Sequence, residues 1–180
     1  MTDPKPSQRL SRRRLVWIIV ATGVAIALVG ALVFEPWKLF VDQHVDEAPP
    51  AAAAGAPVGS MDQAVIARGQ LISHEHASSG AVVVYRLADG SRVLRIEDLS
   101  TSNGPALHVW LSDAPVVEGS AGWGVFDEGR HVDLGELKGN IGSSNYLIPP
   151  DVDLTALQSV SIWCARFHVS FAAARLSLPR

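Results

Sequence analysis

The chain of 180 residues contains a single cysteine, Cys164, in the stretch SVSIWC at residues 159–164. A lone cysteine cannot form a disulfide within its own chain. It can act as a small buried hydrophobic side chain, as a redox-active or cofactor-ligating thiolate, or as one half of a disulfide with another molecule. Nearby positive charge favours a thiolate, and Arg166 follows two residues later. These residues alone leave the three roles open.

Two histidines give this cysteine candidate partners for metal chemistry. Copper electron-transfer sites use a cysteine thiolate, two histidines and a weak axial ligand, and Cys164-x-x-x-His168 with the upstream His108 is loosely similar. No methionine follows His168 to supply the axial ligand. In an extended strand the side chains of Cys164 and His168 would lie about 13 Å apart, so such a site requires a sharp bend between them. The sequence therefore predicts no metal site.

Motifs of hydrolases and of phosphate-binding enzymes are missing from the sequence. The chain has no Gly-x-Ser-x-Gly, no glycine-rich phosphate loop after a strand and no His-Glu-x-x-His. The segment His74-Glu75-His76 alternates along an extended chain and does not place both rings on one helix face. A stand-alone hydrolase is therefore disfavoured.

The segments that must position Cys164 are short β-branched runs separated by turn residues, from about residue 68 onward. The clearest is 81–99, in which two such runs flank Asp89-Gly90, a strong hairpin signal. Further predicted strands are 70–74, 106–112, 131–137, 144–149, 159–164 and the runs after residue 166. Because no stretch here has a sustained helical period, the sequence predicts an all-β fold, an antiparallel β-sandwich of about eight short strands.

Alternation along these strands separates inward from outward side chains. Val160, Ile162 and Cys164 share one face of their strand, and Leu107, Val109 and Leu111 share the predicted core face of theirs. The apolar residues after Cys164 have the opposite parity, so the chain must bend or bulge near residues 165–166. Cys164 is therefore predicted to be the last inward side chain before that irregularity, which argues against a surface disulfide.

An apolar run at residues 15–34 precedes this domain and contains no ionisable side chain. As a helix it is about 30 Å long, the thickness of a bilayer core. A cleaved signal peptide has a shorter apolar region, about 7–15 residues, so a retained anchor is favoured. Arg12, Arg13 and Arg14 adjoin the run, and basic flanks stay on the cytoplasmic side. The sequence predicts a single-pass membrane protein with its C-terminal domain outside the cytoplasm.

The chain therefore divides into four predicted parts. A basic head at 1–14 and the transmembrane helix at 15–34 are followed by a flexible Ala/Pro-rich tether at 35–67 and a β-sandwich domain at 68–180. The head has five basic residues and one acidic residue, whereas the chain from residue 35 onward has 10 basic and 17 acidic residues. An acidic domain argues against nucleic acid as a partner. The lipid bilayer is the partner predicted for residues 15–34.

Several motifs in a fixed order give the exported part a family resemblance, over about residues 69–178. The matching segments are 76–80, 103–112, 132–135, 137–142, 145–146, 148–149 and 159–176, the last containing Cys164. Together they resemble the DM-thirteen domain, a small all-β module of Skeletor-type cell-surface proteins that also occurs as a membrane-anchored single domain in bacteria. Ala106 departs from the pattern, because members commonly carry an acid after Gly-Pro.

This resemblance implies an electron-transfer role centred on Cys164, which matches the hallmark cysteine of the family. The thiol would act as a redox group or as a ligand to a prosthetic group, with haem or copper as the cofactors considered. His108, His168 and Trp163 are the candidate cofactor-binding residues around it, with Phe167 nearby. The partner would be a redox protein or another protein of the cell envelope. The resemblance favours a redox component over a stand-alone enzyme.

A second hypothesis belongs to a different functional class. The domain can be a non-catalytic binding or scaffolding module of the cell envelope in which Cys164 is only a packing residue. The two hypotheses differ in whether the thiol of the folded domain can react.

Overall fold

The fold was analysed in a computed structural model, which describes residues 12–50 and 64–178. It divides into two compact units, one ending at Glu35 and the other beginning at Pro36. The first unit contains the helix α1, Arg12–Phe34, which is long and apolar enough to cross a membrane. No acidic or basic side chain interrupts it after Arg14, so its whole surface suits an apolar solvent.

The second unit begins with a 3₁₀ helix, Pro36–Phe40, and then contains the strands. In chain order the described strands are β1 His44–Asp46, β2 Ala64–Gln70, β3 Ile72–Ser73, β4 Ser79–Arg86, β5 Arg92–Ser100, β6 Leu107–Ser112, β7 His131–Glu136, β8 Ile141–Ile148, β9 Ser159–Cys164 and β10 Val169–Arg175. Two short 3₁₀ helices, Ser120–Gly122 and Val125–Asp127, lie between β6 and β7.

These strands form two five-stranded sheets that pack as a sandwich, which confirms the predicted fold class. Sheet A has the order β1-β8-β5-β4-β2, and sheet B has the order β3-β10-β9-β6-β7. The β1–β8 pair is parallel, and the other pairs are antiparallel. The β4–β5 hairpin forms where Asp89-Gly90 predicted it, because Gly90 adopts φ 82° and the Asp89 carboxylate accepts a hydrogen bond from the Ser91 amide at 2.9 Å.

The main core lies between the sheets and contains the side chains that alternation places inward. Leu107, Val109 and Leu111 of β6 are buried there, as are Val160, Ile162 and Cys164 of β9. The predicted bend after Cys164 is a tight turn at residues 165–168, and β10 has its own bulge between Ser170 and Ala172. The four-residue turn accounts for the change of parity, because it pairs Cys164 with Val169 on the core face; the bulge then lets Phe171 and Ala172 both reach the core.

The outer face of sheet B is also buried, which simple alternation does not predict. The loop between β6 and β7 folds over it, and Phe126 from this loop packs with Trp110 and Trp163. Trp163 is completely enclosed and Trp110 is 8 % exposed. We call this second apolar layer, which also includes Ala114 and Ala173, the aromatic cluster. Sheet B is therefore covered on both faces at β9.

The structure differs from the predicted flexible tether at both ends of residues 35–67, because β2 already begins at Ala64 and β1 lies at residues 44–46. Strand β1 pairs with β8 at the edge of sheet A, and buried Asn140 accepts a hydrogen bond from the Gln43 amide at 2.7 Å. Glu47 accepts hydrogen bonds from the Lys138 ammonium at 2.8 Å and the Asn145 amide at 2.7 Å. We call residues 42–48 the strap. Residues 51–63 of the predicted tether lie outside the described residues.

Candidate functional site

Cys164 ends β9, and its thiol is fully buried in the main core. The Sγ–H group donates a hydrogen bond to the carbonyl oxygen of Pro105 at 3.3 Å. The amide of Ala165 donates to the carbonyl oxygen of Ala106 at 3.0 Å, so the loop at 103–106 is joined to the turn at 165–168 directly over the thiol. We call these two segments the cover of Cys164.

Each segment of the cover contains a non-glycine residue with left-handed backbone conformation. Ala106 has φ 51° and His168 has φ 54°. This conformation costs roughly 1–2 kcal/mol for an ordinary L-residue and is adopted more readily by Asn and Asp. The closed cover holds two unfavourable residues next to the thiol, and such residues cluster at functional sites.

The electrostatic surroundings of Cys164 favour the protonated thiol. Burial raises the pKa of Cys164 above its usual range. The backbone amides of Phe167 and Arg166 interact with the sulfur in the opposite direction, and the charge of Arg166 helps them without offsetting the burial. Two backbone N–H groups of the turn thus favour the thiolate form of the sulfur, against the larger effect of burial.

The other predicted site residues lie on the opposite side of β9 or beside it. His108 pairs with Trp163 across the β6–β9 register, and both side chains point away from the main core. The Nδ1 atom of His108 lies 2.8 Å from the Asp133 carboxylate, and that of His168 lies 3.0 Å from the Asp127 carboxylate. His168 also meets the Trp163 ring edge-on at 6.5 Å. The structure thus brings His108, Trp163 and His168 together and separates them from the Cys164 thiol.

This separation decides whether these residues fit a metal or a haem. A copper site needs the thiolate and both imidazoles around one point, but the thiol faces the core while His108 points away from it. The described residues include no group of three or more His, Cys, Asp or Glu side chains that could hold a metal ion. A thiol enclosed by core side chains does not fit axial ligation of a haem. The predicted ligand set therefore does not fit either cofactor in this conformation.

A buried polar chain under the aromatic cluster was not anticipated. The Nδ1 atom of His74 lies 2.9 Å from the Ser170 hydroxyl, which also accepts a hydrogen bond from the Ser161 hydroxyl at 2.9 Å. All three side chains are buried. Burial lowers the pKa of His74 below its ordinary value of 6.5, although the backbone of Val117 opposes this shift. The sequence signal was the outward parity of Ser161, which predicts a solvated serine unless a loop covers it.

Acidification below pH 6.5 is therefore expected to destabilise the domain through His74. The folded state holds this imidazole neutral, whereas the unfolded chain binds a proton near pH 6.5. The contribution of His74 to the free energy of unfolding is therefore complete above that pH and decreases below it. Urea unfolding of the full chain in detergent, at a series of pH values, measures the slope. The His74→Asn variant keeps a polar side chain near Ser170 and should show a shallower slope. Equal slopes would contradict this assignment.

Comparison with known proteins identifies the family of this domain. No curated protein and no solved structure matches the chain. A family model described as Electron transfer DM13 matches residues 70–176, which span every strand from β3 to β10 and include Cys164. This match covers more than half of the 180 residues. The chain therefore belongs to the DM13 electron-transfer domain family.

Proposed function

We propose that the protein is a membrane-anchored electron-transfer domain in which Cys164 is a redox thiol that reacts only when its cover opens. The observation that carries the proposal is the position of the thiol directly beneath the cover, whose residues Ala106 and His168 both have left-handed backbone. Opening would relieve this unfavourable backbone and give solvent access to the sulfur. Family membership supplies the class of function.

The step proposed for the opened state is thiol–disulfide exchange with a disulfide of a partner molecule. Cys164 loses its proton to solvent, and the backbone amides of Arg166 and Phe167 stabilise the thiolate. The thiolate attacks one sulfur of the partner disulfide and forms a new S–S bond, while the old S–S bond breaks. The second partner sulfur leaves as a thiolate and takes up a proton. The partner disulfide is the oxidant, and the closed cover prevents exchange with unrelated disulfides.

The rate of thiol labelling tests this proposal in the full chain in detergent. A chromogenic aromatic disulfide is added under native conditions and at increasing urea concentrations below the unfolding transition. Opening of the cover exposes little surface, so we expect labelling with only a shallow dependence on urea. Ala106→Gly removes the side-chain penalty at φ 51°, about 1 kcal/mol, and should slow labelling by about fivefold because it favours the closed cover. Cys164→Ser is the control without a reactive thiol.

Labelling that occurs only with the steep urea dependence of global unfolding would contradict the proposal. It would support the second candidate, a non-catalytic binding or scaffolding module of the cell envelope. The observation that favours this candidate is the complete burial of Cys164 among apolar side chains, with the pKa of its thiol raised. In that case Ala106→Gly would change labelling only through global stability.

We further propose that residues 36–180 lie outside the cytoplasm. Arg12, Arg13 and Arg14 begin α1, and basic residues at a helix end favour the cytoplasmic side. Alkaline phosphatase, which is active only outside the cytoplasm, is fused after residue 180 and compared with a green fluorescent protein fusion. Active phosphatase with a dark fluorescent fusion supports the orientation, and the reverse pattern overturns it.

A further inference from the structure

Four aromatic rings form a continuous series along the outer face of sheet B. His131 stacks on Trp110 with ring centroids 3.8 Å apart and planes inclined by 7°. Trp110 stacks on Trp163 at 5.0 Å and 23°, and Trp163 meets His168 edge-on at 6.5 Å. Both histidines are exposed, whereas the two indoles between them are buried. The series therefore begins at the surface, passes through the aromatic cluster and returns to the surface.

We propose that Trp110 and Trp163 are a one-electron relay between the surface at His131 and the surface at His168. This inference rests on the electron-transfer function proposed above but does not use Cys164. Indole is among the most readily oxidised side chains, and the centroids of the two stacked rings lie only 5.0 Å apart. The buried thiol can react with a partner only after the cover opens. An electron can tunnel to or from a buried indole without direct contact between that indole and the partner.

The relay is balanced as a sequence of single-electron steps. A one-electron oxidant, a metal complex of high reduction potential docked beside His131, takes one electron from Trp110. The oxidation state of its metal falls by one. The Trp110 radical cation then takes one electron from Trp163. A one-electron donor of the phenol class beside His168 returns one electron to Trp163, is itself oxidised to a phenoxyl radical and releases its proton to solvent. Both indoles then end as they began, and one electron has crossed the series.

The surroundings of the two indole N–H groups favour electron transfer without an accompanying proton transfer. The Nε1 atoms of Trp110 and Trp163 are buried and have no hydrogen-bond partner among the described residues. One-electron oxidation makes the indole N–H much more acidic, so the radical loses this proton where an acceptor is available. Without an acceptor the radical remains a cation at either site, and the electron moves without waiting for a proton. Phe126, packed against Trp163 with centroids 6.4 Å apart, helps to exclude water from this position.

Carboxylates lie near the relay and suit a transient positive charge. The Asp127 carboxylate contacts His168 at 3.0 Å, and the Asp133 carboxylate contacts His108, the cross-strand neighbour of Trp163, at 2.8 Å. These carboxylates lie one side chain away from Trp163, and a negative charge there favours a positive charge on the indole, weakened by the partial exposure of both carboxylates. The described part of the chain thus supplies the ring contacts, the dry surroundings and the nearby negative charge.

The relay can be tested by a photochemical experiment on the full chain in detergent. A ruthenium polypyridyl sensitiser is attached through Arg130→Cys, next to His131, in a Cys164→Ala background. Arg130 is exposed, and its ion pair with Asp113 is a surface contact of small energetic value. His168→Tyr places an oxidisable phenol at the far end, where Asp127 or solvent accepts its proton. A flash excites the sensitiser, and a ruthenium(III) ammine in solution takes one electron from it, so that the oxidised sensitiser starts the transfer. Transient absorption follows formation of the tyrosyl radical.

We expect tyrosyl formation to slow by about tenfold or more in Trp163→Phe and in Trp110→Phe, because each removes one step of the series. Trp123→Phe, in the covering loop outside the ring series, is the matched control and should leave the rate unchanged. Near-UV circular dichroism verifies that each variant is folded. If Trp163→Phe does not fold, Trp110→Phe alone decides the outcome. An unchanged rate in the folded variants overturns the relay. Because the background contains no Cys164, this result is independent of the thiol proposal.

Discussion

Trp163→Ala is expected to lower the free energy of unfolding by about 3–5 kcal/mol, the usual cost of removing a fully buried aromatic side chain. Trp163 has no exposed surface and packs against Trp110 and Phe126. The remaining atoms of β9 cannot close the space, because this strand is already paired with β6 and β10 on its two edges. Domains are typically stable by about 5–15 kcal/mol, so this change threatens the fold.

Urea unfolding of the full chain in detergent, followed by circular dichroism, measures this loss. Trp37→Ala is the matched control, because Trp37 is 47 % exposed and its removal should alter stability by less than about 0.5 kcal/mol. Trp163→Phe keeps a ring in the aromatic cluster, so its loss of unfolding free energy should lie between those of Trp163→Ala and Trp37→Ala. A loss below about 1 kcal/mol for Trp163→Ala would show that the loop between β6 and β7 is only loosely attached to sheet B.

The sandwich itself was predictable because its determinants are local. Alternation with a period of two placed Leu107, Val109 and Ile162 in the core, and Asp89-Gly90 located a hairpin whose strands are neighbours in the sequence. The same rule placed Cys164 inward. Its complete burial and the shift of its pKa depend on Pro105 and the turn at 165–168, which a pattern within one strand cannot reveal.

The aromatic cluster was not predictable from alternation, which assigns one face of each strand to solvent. Trp110 and Trp163 lie at outward positions, but residues 113–130 cover them without any periodic pattern of their own. The signal present in the sequence was the size of these outward side chains, because two tryptophans on the outer face of neighbouring strands are costly to leave in water. The proximity of His108 to Trp163 follows from the β6–β9 register, and their separation from Cys164 follows from alternation along the two strands.

The strap shows a different limit. Composition rich in Ala and Pro indicated a flexible tether, yet β1 is held by backbone pairing that depends little on side-chain type. The side chains that fix it, Asn140 and Glu47, join segments that are more than 90 residues apart in the chain. Hydrogen bonds from Lys138 and Asn145 lower the pKa of Glu47 although burial opposes this shift. Such long-range contacts leave no trace in local composition.

Gly142→Ala is expected to release the strap from β8. Gly142 has φ 104°, and a Cβ atom there would lie 2.2 Å from the carbonyl oxygen of Val45, which is backbone and cannot move aside by changing rotamer. Three residues of β1 would lose their pairing, at about 1 kcal/mol for each hydrogen bond, so exchange of the Glu47 amide should accelerate by about hundredfold. Gly135→Ala is the matched control, because Gly135 has φ 116° but open space around the added Cβ.

Hydrogen exchange followed by mass spectrometry measures this release, and thiol labelling in the same samples shows what the strap does. The side chain of Asn140 contacts both Gln43 of the strap and the carbonyl oxygen of Thr101, and the side-chain amide of Asn103 donates to the carbonyl oxygen of Val41, the residue before the strap, at 2.8 Å. The strap thus holds the loop that carries Pro105 over the thiol. Cys164 should therefore be labelled faster in the Gly142→Ala variant than in the Gly135→Ala variant. Equal labelling rates with a released strap would show that the cover closes without it. Faster labelling would make the strap a part of the cover, so the residues that follow α1 would control access to the thiol.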